Sequence, residues 1–298
     1  MNKSTPTVAS ALQQARQMGL QPADAERLLL HVLGHNANGR AWLRAHDTDP
    51  IAPAAQAQHQ RLCERRADNE PLAYLVGERA FYGLTLQVDA RVLDPRPDTE
   101  TLVDWALDHL PTDTPRQVAD LGTGSGAIAL ALLSQRPHAQ VLGVDASPEA
   151  LTVAAANATR LGLPLATALG RWFDELQPFG SPALPTWVRC GTPWLDLVVS
   201  NPPYIAQHDP HLPALRHEPL AALVSGPDGL DDLRQIVHAA PLHLKPGGWL
   251  LLEHGFDQAA AVAALLRAQG FESVTTRKDL AGLDRCTGGR WAGSRGVG

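Results

Sequence analysis

At 298 residues the chain is long enough for one large domain, or for a large and a small one. Its 31 acidic side chains outnumber 25 basic ones, and the formal net charge of −6 argues against a broad electrostatic grip on nucleic acid, leaving only a local basic patch open. Cys63, Cys190 and Cys286 are far apart and form no CxxC pair, which points to neither a zinc site nor a disulfide framework and fits a reducing compartment.

Met1 to Ser10 hold no apolar core of signal-peptide length, and no run approaches a membrane span, so a soluble, cytoplasmic protein is expected. Residues 1–70 are rich in Ala, Leu, Gln and Arg. Ala25, Leu28, Leu29, Val32 and Leu33 recur at helical spacing after Pro22 and Asp24, with Gly34 as a stop. Ala54 to Asp68, behind Pro53, predicts another helix, and no strand pattern interrupts this small helical bundle. Tyr74 to Gly77 and Phe81 to Val88 predict a hairpin around Gly77 to Arg79, making residues 71–93 a linker to a second domain over 94–298. A helix then follows a turn in which Asp98 or Thr99 is the cap.

From about residue 115, strands and helices alternate. Strands are predicted at Gln117 to Leu121, Gln140 to Val144, Leu195 to Ser200, Trp249 to Glu253 and Phe271 to Thr276. Helices are predicted at Ala127 to Ser134, Pro148 to Arg160 with Ser147 as N-cap, Leu230 to Leu242 and Gln258 to Ala268. This order means βαβ units and an α/β fold: a largely parallel sheet with helices on both faces. Gln177 to Pro193, rich in Pro, Gly and Trp without period, reads as a surface insertion, and the tail after Trp291 as disordered.

Two loops carry the chemistry. Gly122-Thr123-Gly124-Ser125-Gly126 closes one predicted strand and opens a helix, so its backbone can be approached closely by a ligand. One residue, where the dinucleotide fingerprint needs two, separates its last two glycines, which disfavours a pyrophosphate cradle. Asp145 ends the next strand roughly 20 residues on, where a ribose-binding acid is expected. A carboxylate there also sets negative charge near a sulfonium, which suits S-adenosylmethionine (AdoMet). Asp120 stands where it can meet the cofactor's amino group, directly or through water. The second loop, Asn201-Pro202-Pro203-Tyr204, follows a buried strand. The Asn201 side-chain carbonyl and the Pro202 backbone carbonyl are two acceptors for the two hydrogens of an –NH2 group. Consecutive prolines hold those acceptors still, and Tyr204 offers an aromatic face to a flat group. The pair of loops, in this order, predicts methylation of a planar nitrogen.

With both loops placed, the chain resembles the HemK/PrmC family. The likeness runs through Pro71-Leu72-Ala73-Tyr74-Leu75, Pro95-Arg96-Pro97-Asp98-Thr99-Glu100, Ala119 to Leu130, Val199 to Ile205, Leu250 to Gly255, and Asp279-Leu280 through Arg290. The resemblance implies a small N-terminal helical domain and a Rossmann-like seven-stranded AdoMet-dependent methyltransferase sheet whose last strand is antiparallel. It implies transfer of a methyl group to the glutamine side-chain amide of the Gly-Gly-Gln loop in class I peptide chain release factors, supporting translation termination and leaving S-adenosylhomocysteine. It assigns Gly122, Thr123, Gly124, Ser125, Gly126 and Asp145 to AdoMet, Trp172 to the adenine, and Asn201, Pro202, Pro203 and Tyr204 to the substrate glutamine. Two positions depart from the pattern: Asp94 replaces an apolar residue, and Arg171 replaces an Asp that would help hold the adenine amine. The insertion before the substrate strand is also longer than usual.

Lesser signals are read as structural. Arg96 and Glu100 either pair across a first helical turn or shape the active-site wall, with the pair favoured. His254 is favoured as a satisfied structural histidine over a general base. His208-Asp209-Pro210-His211 matches no ligand spacing, so no metal is expected. The rivals are a nucleic-acid adenine or cytosine amino-methyltransferase, a glutamine methyltransferase of a ribosomal protein, and a non-catalytic binder. Neither membrane association nor stable nucleic-acid binding is expected.

Overall fold

The computed structural model describes residues 6–36, 39–189 and 192–293, so Cys190, Met1 to Thr5 and the last part of the tail expected after Trp291 lie outside the described residues. The chain divides into two compact units, one ending at Glu78 and the other starting at Arg79.

The first unit is helical: α1 (Val8–Gln17), α2 (Pro22–Val32), α3 (Arg40–Ala45), α4 (Pro53–Ala67) and α5 (Leu72–Val76). Thr7 caps α1 in a reciprocal box with Ser10, and Pro starts both α2 and α4, where its missing N–H costs nothing. Adjacent residues of α2 serve two small cores. Leu28 packs with Ala15, Leu62, Cys63, Leu75 and Val76, while Leu29 and Leu30 pack with Val8, Ala11, Leu43 and Ile51.

The expected hairpin exists, but its turn lies elsewhere. Pro71 starts a helix whose Leu75 and Val76 are buried, and Gly77, with φ of +76°, ends it in the left-handed region. The hairpin pairs β1 (Glu78–Phe81) with β2 (Leu84–Gln87) around Tyr82-Gly83, both at positive φ, as the type I′ two-residue turn requires. The Tyr82 N–H donates to Glu100 Oε1 at 2.8 Å and its hydroxyl to Asp104 at 2.6 Å, holding a residue that rarely adopts this conformation.

The second unit continues with α6 (Glu100–Asp108), β3 (Gln117–Leu121), α7 (Ala127–Gln135), β4 (Gln140–Asp145), α8 (Pro148–Leu161), β5 (Ala166–Arg171), β6 (Asp174–Phe179), β7 (Leu195–Ser200), α9 (Asp231–Ala239), β8 (Leu244–Glu253), α10 (Ala259–Gln269), β9 (Phe271–Lys278) and β10 (Asp284–Trp291). The sheet has eight strands in the order β6-β5-β4-β3-β7-β8-β10-β9. Strands β5, β4, β3, β7 and β8 are mutually parallel; β10 runs antiparallel between β8 and β9, and β6 folds back antiparallel on β5. The eighth strand, β6, takes the start of the stretch read as an irregular insertion.

Ala119, Leu121, Leu142, Val144, Leu250 and Leu252 share one face with Leu233 and Ile236 of α9 and Val262 and Leu266 of α10. Leu251, of opposite parity, faces Trp105 of α6 across Gly288. Asn157, fully buried on α8, ties three parts together. Its amide donates to the Gln87 and Ser125 carbonyls, each at 3.0 Å, and accepts from the Gln87 N–H at 2.7 Å. Asn157→Ala is expected to cost about 2–4 kcal/mol in unfolding free energy, because it orphans buried polar groups; a denaturant titration reads it.

The chain winds from β3 outward to β5 and then returns to β7 on the other side of β3. That reversal opens a crevice at the carboxyl ends of β3 and β7, where ligands bind in open parallel sheets.

Candidate active site

Both chemical loops leave the sheet at this crevice. The glycine turn follows β3 and the Asn-Pro-Pro-Tyr loop follows β7, while Asp145 ends β4 and Glu253 ends β8. The Gly122 and Thr123 N–H groups both donate to the Val144 carbonyl, at 2.8 and 2.9 Å, locking the turn to β4. Gly122 has φ of +71°, and a Cβ there would point into the space in front of Trp172 and the Asn201 carbonyl.

Asp120 lies beneath this turn, outside the cavity wall. Its Oδ2 accepts from the Thr123 hydroxyl at 2.7 Å and the Ala129 N–H at 3.2 Å, clamping the turn to α7. Complete burial pushes its carboxyl up to about 7, with those two donors pulling back. Asp145 stands at the cavity. Its Oδ2 accepts from the Gly124 N–H and its Oδ1 from the Ser147 N–H, both at 2.9 Å. Burial raises its pKa and the backbone donors lower it. Ser147 caps α8 as expected, accepting from the Ala150 N–H.

A cavity of about 550 Å³ gathers Gly122, Thr123, Gly124, Ser125, Asp145, Trp172, Asn201 and Pro203 from the residues singled out in the sequence. Gly126, Asp120, Pro202 and Tyr204 stand outside its wall. Trp172 has φ of +55°, and its indole Nε1 is buried without a hydrogen-bond partner among the described residues. Next to it, Arg171 donates to Asp232 Oδ1 at 2.9 Å. The departure to Arg171 therefore comes with a carboxylate from the start of α9, buried at the same edge of the cavity.

Neither Asp98 nor Thr99 makes a side-chain cap on α6. The buried Thr99 instead faces the Asn-Pro-Pro-Tyr loop, where its Oγ1 accepts from Asn201 Nδ2 at 3.2 Å. Pro202 is buried, and Tyr204 packs partly against the core with its hydroxyl 3.4 Å from Glu253 Oε1. The Tyr204 carbonyl accepts from Gln258 Nε2 at 3.0 Å. Nothing in the sequence linked Thr99 to Asn201, since 102 positions separate them.

Arg96 bonds to Glu218 and reaches Asp94 at 3.7 Å, and Arg79 stands 3.4 Å from Asp94; Glu100 Oε1 accepts from the Tyr82 N–H. Asp94 is buried, and its N–H donates to Glu218 Oε2 at 3.4 Å, so this departure from the family pattern sits among two arginines. Burial raises the Asp94 pKa and the two arginines lower it. His254 has both ring nitrogens engaged, with the Gly255 carbonyl at 2.8 Å and the Thr287 hydroxyl at 2.7 Å, which is a structural role. Among the described residues no three His, Cys, Asp or Glu side chains converge as a metal site, and no helix is long and apolar enough to cross a membrane.

The sequence matches two family models: the PrmC N-terminal domain over residues 7–77 and the methyltransferase small domain over residues 99–183. A release factor glutamine methyltransferase of Xylella fastidiosa (strain Temecula1) is 49% identical over 286 residues, covering 95% of this chain and 98% of that protein. The chain belongs to the release factor glutamine methyltransferase family. A release factor glutamine methyltransferase of Bordetella pertussis is 47% identical, covering 91% of this chain and 95% of its own length. A solved structure from Alicyclobacillus acidocaldarius, described as a release factor-specific protein-(glutamine-N5) methyltransferase, is 32% identical with a TM-score of 0.41, covering 66% of this chain and 93% of its own. In this family member the antiparallel last strand implied by the resemblance is β10, and the strand beyond seven is the edge strand β6.

Proposed function

We propose that this methyltransferase moves the methyl group of AdoMet onto the side-chain amide nitrogen of the glutamine in the Gly-Gly-Gln motif of class I peptide chain release factors, leaving S-adenosylhomocysteine. One observation carries the proposal. Asn201 commits its Nδ2 to Thr99, which leaves Oδ1 as the side chain's acceptor, and Asn201 lines the cavity that also holds Asp145 and the glycine turn. Relatives named for this activity match over nearly the whole chain.

The cavity fits AdoMet. Its volume suits a nucleoside-sized ligand, and the glycine turn leaves open the space a side chain would fill. Asp145 retains acceptor capacity beyond its backbone donors, so it would hold the ribose hydroxyls. Trp172 would flank the adenine, with its unpartnered Nε1 and the Asp232 carboxylate at that edge. When bound, AdoMet supplies an electrophilic methyl group on a cationic sulfur.

The protein's own task is orientation. An amide nitrogen is a weak nucleophile because its lone pair is delocalised into the carbonyl. Asn201 Oδ1 and the Pro202 carbonyl would each take one amide hydrogen, turning the nitrogen toward the cavity. Pro202 and Pro203 hold those acceptors still. Hydrogen bonds better made in the transition state offset the lost delocalisation, and alignment supplies much of the rate. The nitrogen gains a methyl and releases one proton, so the product amide stays neutral. A cytoplasmic location accords with such a substrate.

The test is labelled AdoMet with purified release factors, followed by mass spectrometry of the Gly-Gly-Gln peptide. A methyl on that glutamine is expected. Label on added DNA or RNA, with salt-sensitive affinity, would overturn the proposal in favour of a base amino-methyltransferase. Label on a ribosomal-protein glutamine would overturn the partner, and AdoMet binding without transfer to any substrate would overturn the activity.

A further inference from the structure

One edge of the cavity is built from two distant parts of the chain: Gly170, Arg171 and Trp172 where β5 turns into β6, and Asp232 in the first turn of α9. Both parts are held firmly. Arg171 pairs with Asp174 across the turn, and Phe173 within it stacks on His243 with ring centroids 4.3 Å apart. The Asp232 N–H donates to the Ser225 hydroxyl at 2.8 Å, and the Ser225 N–H donates to the Ile205 carbonyl at 2.9 Å, just past the Asn-Pro-Pro-Tyr loop.

The polar groups at this edge have a definite order. Asp232 is only 5% exposed, and its Oδ1 accepts from Arg171 Nη2 at 2.9 Å. A carboxylate has about four acceptor positions, so one arginine bond leaves capacity on both oxygens. Trp172, 9% exposed, carries a buried Nε1–H with no acceptor among the described residues. One acceptor group therefore stands beside donors from Arg171 and Trp172. An ion pair alone does not account for the burial of the acid. The Arg171 side chain is 60% exposed, and pairs with so wet a partner contribute little.

We propose that Asp232 is the purine-reading residue of the cofactor site: its carboxylate accepts a hydrogen bond from the 6-amino group of adenine, and Arg171 holds that carboxylate in place from the rim. This rests on the AdoMet site proposed above and deepens it. Adenine presents an amino donor next to a ring-nitrogen acceptor, the complement of an acid flanked by N–H groups. A 6-oxo purine presents the reverse order, so its oxygen would face the carboxylate and be repelled. The arginine at position 171 is then no loss of the adenine contact, because the acid is delivered by α9.

The test is calorimetric binding to the full chain, with no turnover required. The probes are S-adenosylhomocysteine, its analogue with hydrogen in place of the 6-amino group, and its 6-oxo analogue. The proteins are the parent, Asp232→Ala, Asp232→Asn and, as a control, Asp145→Ala. The parent is expected to bind the des-amino analogue about 10- to 100-fold more weakly than S-adenosylhomocysteine, the range of one hydrogen bond to a charged group, and the 6-oxo analogue more weakly still. In Asp232→Ala the first two should bind within about threefold of each other, since the coupling between acid and amine is gone. Asp232→Asn, with an amide N–H to offer, should narrow the gap to the 6-oxo analogue. Asp145→Ala should weaken all three by a similar factor, because they share the ribose.

A parent that binds all three alike overturns the inference. So does amine discrimination that persists undiminished in the Asp232 variants. An Asp232→Ala protein weakened equally toward all three, with the preference for the amine intact, marks a merely structural carboxylate and overturns it too. If Asp232→Ala does not fold, the same comparison in Asp232→Asn decides. A parent that binds none of the three overturns the AdoMet assignment itself, a failure distinct from loss of the amine contact.

Discussion

Replacing Asn201 with alanine lowers kcat by roughly 10²- to 10³-fold while AdoMet affinity stays within about threefold of the parent. The magnitude is that of removing one preorganised polar contact to the reacting group. Asn201 is suited to the role because Thr99 spends its Nδ2 and leaves the carbonyl oxygen free, on a loop stiffened by two prolines. The loss belongs in kcat because the contact orients a poor nucleophile and strengthens as the nitrogen pyramidalises. Alanine keeps the backbone carbonyl that a Cβ on Gly122 would approach at 4.0 Å, so the cofactor wall is spared. Single-turnover kinetics with AdoMet binding by calorimetry checks this. Collapse of cofactor binding with normal turnover per bound cofactor would sink the assignment.

Asp145→Ala does the reverse. AdoMet affinity falls by roughly 10²-fold, since hydrogen bonds to a charged group contribute about 1.5–3 kcal/mol each. Two effects add. The ribose loses its acceptor, and the Gly124 and Ser147 N–H groups lose the carboxylate that fixes them at 2.9 Å, so the glycine turn loosens. Asp145→Asn retains one acceptor and should fall between. At saturating AdoMet the Asp145→Ala enzyme should recover most of its kcat, because the substrate loop is anchored separately through Thr99 and Gln258. Equal AdoMet affinity in mutant and parent would remove Asp145 from the site.

Much of this architecture was legible in the chain because it is locally encoded. The buried runs of β3, β4, β7 and β8 are short, apolar and bounded by turn residues. Ser147-Pro148 announces α8, and the capping hydrogen bond is there. What escaped is non-local. β10 carries Gly288 and Gly289 and reads poorly as a strand, yet it is inserted between β8 and β9. Gly288 is required because a Cβ would come within 2.5 Å of Leu251. β5 falls where the sequence reading placed no element, and β6 pairs with it across a short turn, only its last three residues lying in the stretch read as irregular. The hairpin turn was misplaced because two glycines compete. Gly77 ends a helix and Gly83 makes the turn, and only the packing of Leu75 and Val76 against α2 and α4 decides between them.

The site divides the same way. The sequence by itself determined the two loops, their order and the acid at the tip of β4, because glycine, proline, asparagine and aspartate act through their own backbone preferences and donor sets. Which residues stand across from one another was decided only when the sheet brought the ends of β3, β7 and β8 together. Thr99 reaches Asn201, Glu253 meets Tyr204, and Arg171 finds Asp232, at separations of 102, 49 and 61 residues. Side chains so far apart in the chain have no local pattern to betray them, because their pairing energy is felt only after the backbone between them has folded.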